Sequence, residues 1–380
     1  MTLFFSTHDA FRQRVRDFVS QRIIPSVDEW EKARVLPTSL FRELGGAGML
    51  GLGQQRQYGG HELDFGFDVV LAEELTRSKA TGLVLSIVAQ NHFFSPLLSI
   101  YGTEEQKQEF LVPAIRGEKI GAFASTEPSG GTDIVGAIQC EARSEGDHWY
   151  ISGEKKYITN APIADFVLVL ARTKPEPATT SLSLIIVPRG TQGFHIHDQL
   201  ATLGLHTSPT GWLTFNDCRV PKSLTLGRPN LGFFYASQIF LLERLIGSVS
   251  GLAFATLVLD ETVVYLRRRM AFGKPLSKMQ AVRHQVSEMA AAIEMARRFV
   301  YSVCESYRDG ITEAKEICMM KFQIPKLVQD TIETCLQLHG AYGFLEENWL
   351  TRAYRDVRFL SVGGGATEPM KDIVATYLRL

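Results

Sequence analysis

The chain has 380 residues, more than one ordinary domain holds, so two or three cooperating units are expected. Its 45% hydrophobic and 21% charged residues describe a globular protein, and a formal net charge of -1 with no run of Lys or Arg argues against a nucleic-acid or polyanion binder. Five scattered cysteines (Cys140, Cys218, Cys304, Cys318, Cys335), with no Cys-x-x-Cys pair and no His at ligand spacing, fit a reducing compartment and no metal site.

At the N-terminus, residues 1–5 are apolar but too few for a secretory core, and Asp9, Asp17, Asp28 and Glu29 oppose a transit peptide. The longest apolar stretch, around residues 231–259, is interrupted by Glu243 and Arg244, so no membrane insertion and a cytoplasmic location are expected. A processed matrix form has the same composition.

Residues 1–117 read as an N-terminal all-α domain. Phe11, Val15, Phe18 and Val19 recur at helical spacing, and further helical stretches are predicted at 38–44, 67–77, 83–98 and 103–115. Gly46, Gly48 and Gly51 spell G-x-G-x-x-G, with Asp68 near the distance of a ribose-binding acid. The glycines follow a predicted helix rather than a strand, so they read as an interhelical turn and not a dinucleotide site.

Residues 118–228 change character and are predicted as a middle β-barrel domain. Short alternating runs occur at 139–143 and 149–151, with Glu145, Gly146 and Asp147 as a hairpin turn between them, and runs rich in aromatic and β-branched residues follow at 166–171, 182–187 and 212–215. Residues 229–380 return to helix as a C-terminal four-helix bundle. Its elements are predicted at 238–269, apolar nearly all round, then 279–308 and 312–339, with Pro325 expected to kink or restart the last. The fold class is therefore α+β, in the order α–β–α.

Two segments carry chemistry. Residues 123–136 (FASTEPSGGTDIVG) leave a strand and cross a Pro-Ser-Gly-Gly loop flanked by hydroxyl residues, which brings backbone N–H groups close to a flat polar ligand. An ordinary barrel loop fits this segment equally well. Tyr157 and Thr159, two residues apart, would share one face of a strand, where a ring can lie against a flat cofactor and a hydroxyl can bind its edge.

With these segments the sequence resembles the acyl-CoA dehydrogenase family over almost its whole length. One family signature is matched at residues 124–136, with Ser125 where an aliphatic residue is usual. The other is matched from Gln337 through Gly340, Ala341 and Gly343 to Glu347, Arg352 and Asp356. The resemblance implies FAD as cofactor, with Phe123, Ser125, Thr126, Gly131 and Thr132 around the isoalloxazine and the thioester, Tyr157 stacked near it and Thr159 on its edge. It implies Arg269 at the pyrophosphate, and Phe272, Gln280, Gln337, Gly340 and Ala341 at the adenosine half of a neighbouring subunit's FAD, hence a homo-oligomer, dimer or tetramer. Glu368 would lie near the FAD. An electron-transfer flavoprotein would be the acceptor.

Dehydrogenation of an acyl thioester removes a proton from Cα and a hydride from Cβ, so a carboxylate must lie beside Cα and donors must face the thioester oxygen. Many family members carry the glutamate where this chain has Gly364. Glu243 is the alternative: it interrupts an apolar helix, has no cation three or four residues away, and is followed by Arg244 about 100° around the helix. The Leu242–Leu245 stretch resembles the Glu-Arg pair of the long-chain and isovaleryl branches, which implies Glu243 as base. Thr132, Arg244 and the Gly364 N–H are expected at the substrate. Rival expectations are a dehydrogenase of a carrier-protein-tethered acyl group, a flavin oxidase or monooxygenase, and a non-catalytic flavin-binding subunit. Asn91 and His92 lie in a helix that resembles part of the acyl-pocket wall, and neither is expected to act in the chemistry.

Overall fold

The structure, a computed structural model, describes residues 3–175 and 178–380. The N-terminal part is helical: α1 (Ser6–Phe18), α2 (Val27–Ala33), α3 (Ser39–Gly46), α4 (Phe65–Leu75), α5 (Thr81–Ala89), α6 (Ser95–Tyr101), then the short α7 (Glu104–Gln106) and α8 (Val112–Ile115). On α1, His8, Phe11 and Val15 point inward at helical spacing, while Arg12 and Arg16 reach Glu74 of α4. Asp64 caps α4 by accepting from Gly66 N at 2.8 Å. The G-x-G-x-x-G stretch is an interhelical turn, held by Asn91, whose side chain accepts from Gly51 N and donates to Met49 O.

Between α5 and α6 the chain makes a π-helical turn, Gln90–Phe94, where one continuous helix was predicted. The extra residue in that turn rotates the following side chains, so Phe93 faces the cleft described below. His92 is turned to Asp68 instead, with Nε2 3.4 Å from Oδ1. Neither Asn91 nor His92 lines the apolar pocket beside Glu243.

The middle part contains β1 (Gly121–Ala124), the one-turn α9 (Ile134–Ala137), β2 (Glu141–Glu145), β3 (His148–Thr159), β4 (Phe166–Arg172), β5 (Leu182–Pro188), β6 (Phe194–Ile196), β7 (Thr210–Pro221) and β8 (Thr225–Leu226). They form one eight-stranded sheet in the order β6-β7-β3-β2-β4-β5-β8, with β1 parallel to β4. The predicted barrel is an open ladder: no pairing joins β6 to β8 among the described residues. Central strands are buried on both faces. Val167, Val169 and Ala171 of β4 fill the sheet's own core with Trp149, Ile151 and Phe215, while Phe166, Leu168 and Leu170 join the core of the helices.

The C-terminal part holds α10 (Gly232–Arg268), a small hairpin of β9 (Met270–Ala271) and β10 (Lys274–Pro275), α11 (Gln280–Arg308), α12 (Ala314–His339), α13 (Trp349–Asp356) and α14 (Thr367–Tyr377). The α10 helix, about 55 Å long, packs along α12, which also receives α11 and α14. Pro325 lies inside α12 without ending it. What it removes is one ladder bond, the N–H that would have met the Lys321 carbonyl. By length and composition Thr81–Tyr101 and Gly232–Arg268 could each span a bilayer; the second contains the apolar stretch that Glu243 and Arg244 interrupt. In the fold, 78% and 50% of their most apolar windows are buried against other elements.

Candidate active site

A cleft of about 560 Å³ opens between the sheet and the C-terminal helices, within the size range of cofactor sites. Phe123 at the end of β1, the loop residues Ser125, Thr126, Gly131 and Thr132, and Tyr157 and Thr159 of β3 form one wall. Glu243 and Arg244 of α10, with Gly364 in the turn before α14, form the opposite wall. The side-chain hydroxyls of Ser125, Thr126, Thr132 and Thr159 make no hydrogen bond among the described residues, so they are open to a ligand.

Tyr157 reaches the cleft by a different route from simple strand alternation. The β3–β7 register shifts between Lys156 and Ile158, Tyr157 sits at φ +64°, and its side chain stands out from the sheet while Ile158 turns in. A β-bulge there re-aims the ring.

The loop after β1 is held from beneath by a buried ion pair that sequence reasoning missed. Lys155 Nζ donates to Glu127 Oε1 at 2.7 Å and to Ser125 O at 3.1 Å. The same carboxylate accepts from Gln139 N (2.7 Å) and Cys140 N (3.0 Å), and Lys156 N donates to Thr126 O. The signal was present in the alternation of β3, where Trp149, Ile151 and Lys155 share parity and all point inward.

Glu243 is reachable from the cleft but surrounded by protein. Burial pushes its carboxyl up to about 7, against the pull of Arg244 and Lys321. Arg244 is turned away, its Nε donating to Gly364 O at 2.9 Å. Gly364 has φ +69°, and a Cβ there would meet Glu243 Oε1 at 3.3 Å, so the carboxylate fills the space a side chain at 364 would enter. The Gly364 N–H has no acceptor among the described residues.

Behind Glu243 lies a narrower apolar pocket of about 70 Å³. It shares Phe93, Glu243, Phe359, Gly363 and Gly364 with the cleft and continues between Val84, Val88, Gly247 and Ile324. Glu243 and Gly364 thus stand at the junction of a polar cleft and an apolar pocket.

Other predicted residues lie apart. Arg269, Gln337, Gly340 and Ala341 line a separate groove with Tyr265 and Tyr342, sharing no residue with the cleft. Phe272 is 95% exposed, Gln280 and Glu368 are exposed, and none of the three lines the cleft. All five cysteines are free and buried, and no group of three potential metal ligands occurs among the described residues.

Comparison with known proteins is decisive at the family level. Residues 6–118, 122–218 and 230–378 match the acyl-CoA dehydrogenase N-terminal, middle and C-terminal domains respectively. The chain belongs to the acyl-CoA dehydrogenase family. It is 34% identical over 375 residues to the mitochondrial long-chain specific acyl-CoA dehydrogenase of Sus scrofa, covering 98% of this chain and 86% of that protein. A solved acyl-CoA dehydrogenase from Geobacillus kaustophilus superposes with a TM-score of 0.97 at 35% identity, covering 99% of each chain. A prolyl acyl carrier protein oxidase superposes with a TM-score of 0.95 at 26% identity, covering 99% of this chain and 100% of that one. Members of the family are flavin-dependent oxidoreductases, and this chain's cleft fits a flavin: a loop of small residues, open hydroxyls, and an exposed aromatic ring on one rim.

Proposed function

We propose that the chain catalyses FAD-dependent α,β-dehydrogenation of an acyl-CoA thioester to the trans-2-enoyl thioester, with Glu243 as the base. The observation that carries this reading is the Glu243 carboxylate beside Gly364, where the cleft meets the apolar pocket. An acyl tail in the pocket would bring its thioester end to that junction. Glu243 takes the Cα proton, and a carboxyl pushed up to about 7 is matched to that task near neutrality. The Gly364 N–H, without an acceptor of its own, donates to the thioester oxygen as negative charge develops there. Arg244 steadies the same residue from its other side by donating to the Gly364 carbonyl. Ser125, Thr126, Thr132, Tyr157 and Thr159 hold the flavin, which when bound supplies the acceptor for the Cβ hydride.

Arg269, Phe272, Gln280, Gln337, Gly340 and Ala341 serve the FAD of a second copy, which makes the active assembly a homo-oligomer. A nearly bare phenylalanine and an open groove away from the cleft support this. An electron-transfer flavoprotein takes the electrons. The test is anaerobic addition of a panel of acyl-CoAs to the flavin-loaded protein, in which a subset is expected to bleach the flavin. Bleaching by acyl-carrier-protein thioesters alone would favour the carrier-tethered reading, for which the likeness to a prolyl acyl carrier protein oxidase speaks.

Pocket depth gives a second prediction. Gly247 lies one turn beyond Glu243, and a Cβ built on it meets nothing within 4 Å. Gly247→Leu fills the pocket without a backbone clash. It should lower kcat/KM for the longest accepted acyl-CoAs roughly tenfold to a hundredfold while sparing the shortest. An unchanged chain-length profile would place the acyl tail elsewhere.

A further inference from the structure

One buried cation near this junction has no role in the chemistry described so far. Lys321 of α12 sits on the helix's buried face with Ile317, Ile324 and Val328, at spacings that a core helix reserves for apolar residues. It is 6% exposed, and its Nζ donates to Leu360 O at 2.6 Å. Among the described residues no carboxylate lies within salt-bridge distance of it, and no donor holds the Glu243 carboxylate. Both side chains line the same apolar pocket.

We propose that Lys321 is a positioning residue for the reaction: through Leu360 it anchors the turn that carries Gly363 and Gly364, and it supplies the counter-charge for the Glu243 carboxylate. The inference rests on Glu243 being the base. The α10 helix offers Arg244, already committed to Gly364 O. The α5 helix and the π turn present Val84, Val88 and Phe93, while His92 faces Asp68. The turn before α14 presents only Phe359, Leu360 and glycines. Arg244 and Lys321 are thus the two cations near Glu243 among the described residues, each donating to a backbone carbonyl, and Lys321 is the one that lines the apolar pocket with Glu243. Consistent with mutual dependence, burial pushes Glu243 up to about 7 and Lys321 down to about 8, and each is pulled back by the other.

The experiment uses the flavin-loaded full chain and measures kcat/KM against pH, from about pH 6 to about pH 9, with an acyl-CoA that bleaches the flavin. Lys321→Met removes both the anchor and the charge, Lys321→Gln keeps a donor for Leu360 O without the charge, and Lys321→Arg keeps both. Activity needs the Glu243 carboxylate, so it rises with pH through the Glu243 pKa. Losing the positive charge moves that acidic limb upward by about 1 pH unit in the Met and Gln variants, an approximately tenfold loss at low pH that closes at high pH. The Arg variant keeps the limb near its original position. Flavin content and thermal melting check folding, and if the Met variant fails to fold the Gln and Arg variants carry the comparison. A limb that stays in place in Lys321→Gln, or a loss of equal size at every pH, would overturn the proposal. Glu243→Gln separates the two assignments. If it is inactive and the Lys321→Gln limb does not move, only the role of Lys321 falls; if it is fully active, both fall.

Discussion

Replacing Glu243 by Gln should abolish turnover while leaving the flavin bound. A correctly placed general base contributes roughly 10²–10⁴-fold, about 3–5 kcal/mol of barrier, and among the described residues no other carboxylate lines the cleft or the pocket behind it. Gln keeps the volume and removes the basic oxygen, so the packing against Gly364 survives. The measurement is the rate of flavin bleaching in a single anaerobic turnover, with the visible spectrum reporting bound flavin. Because burial holds the Glu243 carboxyl at about 7, the wild-type rate should rise through neutral pH. The sign follows from the role: the protonated acid cannot take a proton, so activity is lost as pH falls through that value. Bleaching at the wild-type rate by Glu243→Gln would show that another group removes the Cα proton.

Much of the architecture was legible because burial imposes periodicity. The inward residues of α1 and the apolar run of α10 follow directly from helical spacing, and the hairpin of β2 and β3 from its Gly-containing turn. Glu243, the proposed base, stood out for the opposite reason, since a carboxylate inside an apolar helix breaks the pattern and calls for an explanation. Illegible features arise where the backbone departs from its regular period. A π turn at Gln90–Phe94 re-aims Asn91, His92 and Phe93, and a bulge re-aims Tyr157, and neither leaves a residue-type signature. Lys155 and Lys321 were missed because lysine is expected at the surface, although both occupy inward positions of their elements. The groove at Arg269 and Gln337 is a third kind of case. Its residues stand apart from the cleft within one chain, so only the family resemblance pointed to them.

Lys155→Met should cost more stability than any surface substitution and should release flavin as it does so. Lys155 is fully buried, and its ammonium is the only charged partner the Glu127 carboxylate has among the described residues. Removing it leaves a buried carboxylate with two backbone N–H donors and no counter-charge, and it strips Ser125 O of its donor. Breaking a buried pair in this way costs roughly 3–5 kcal/mol, most of it the penalty of stranding the survivor. The consequence reaches the cofactor because the stranded groups are the underside of the loop. Ser125 and Thr126 face the cleft with their side chains and are tied down by Lys155 and Lys156 through their carbonyls. Thermal melting and the flavin-to-protein absorbance ratio should therefore fall together, whereas Lys156→Met, which keeps its backbone N–H bond to Thr126, should spare both. Adding Glu127→Gln to Lys155→Met should cost less than the two single losses summed, because each single variant already strands the partner. Strictly additive losses would mean that the two side chains act independently, and an unchanged flavin ratio in Lys155→Met would mean that the β1–β4 pairing alone holds the loop in place.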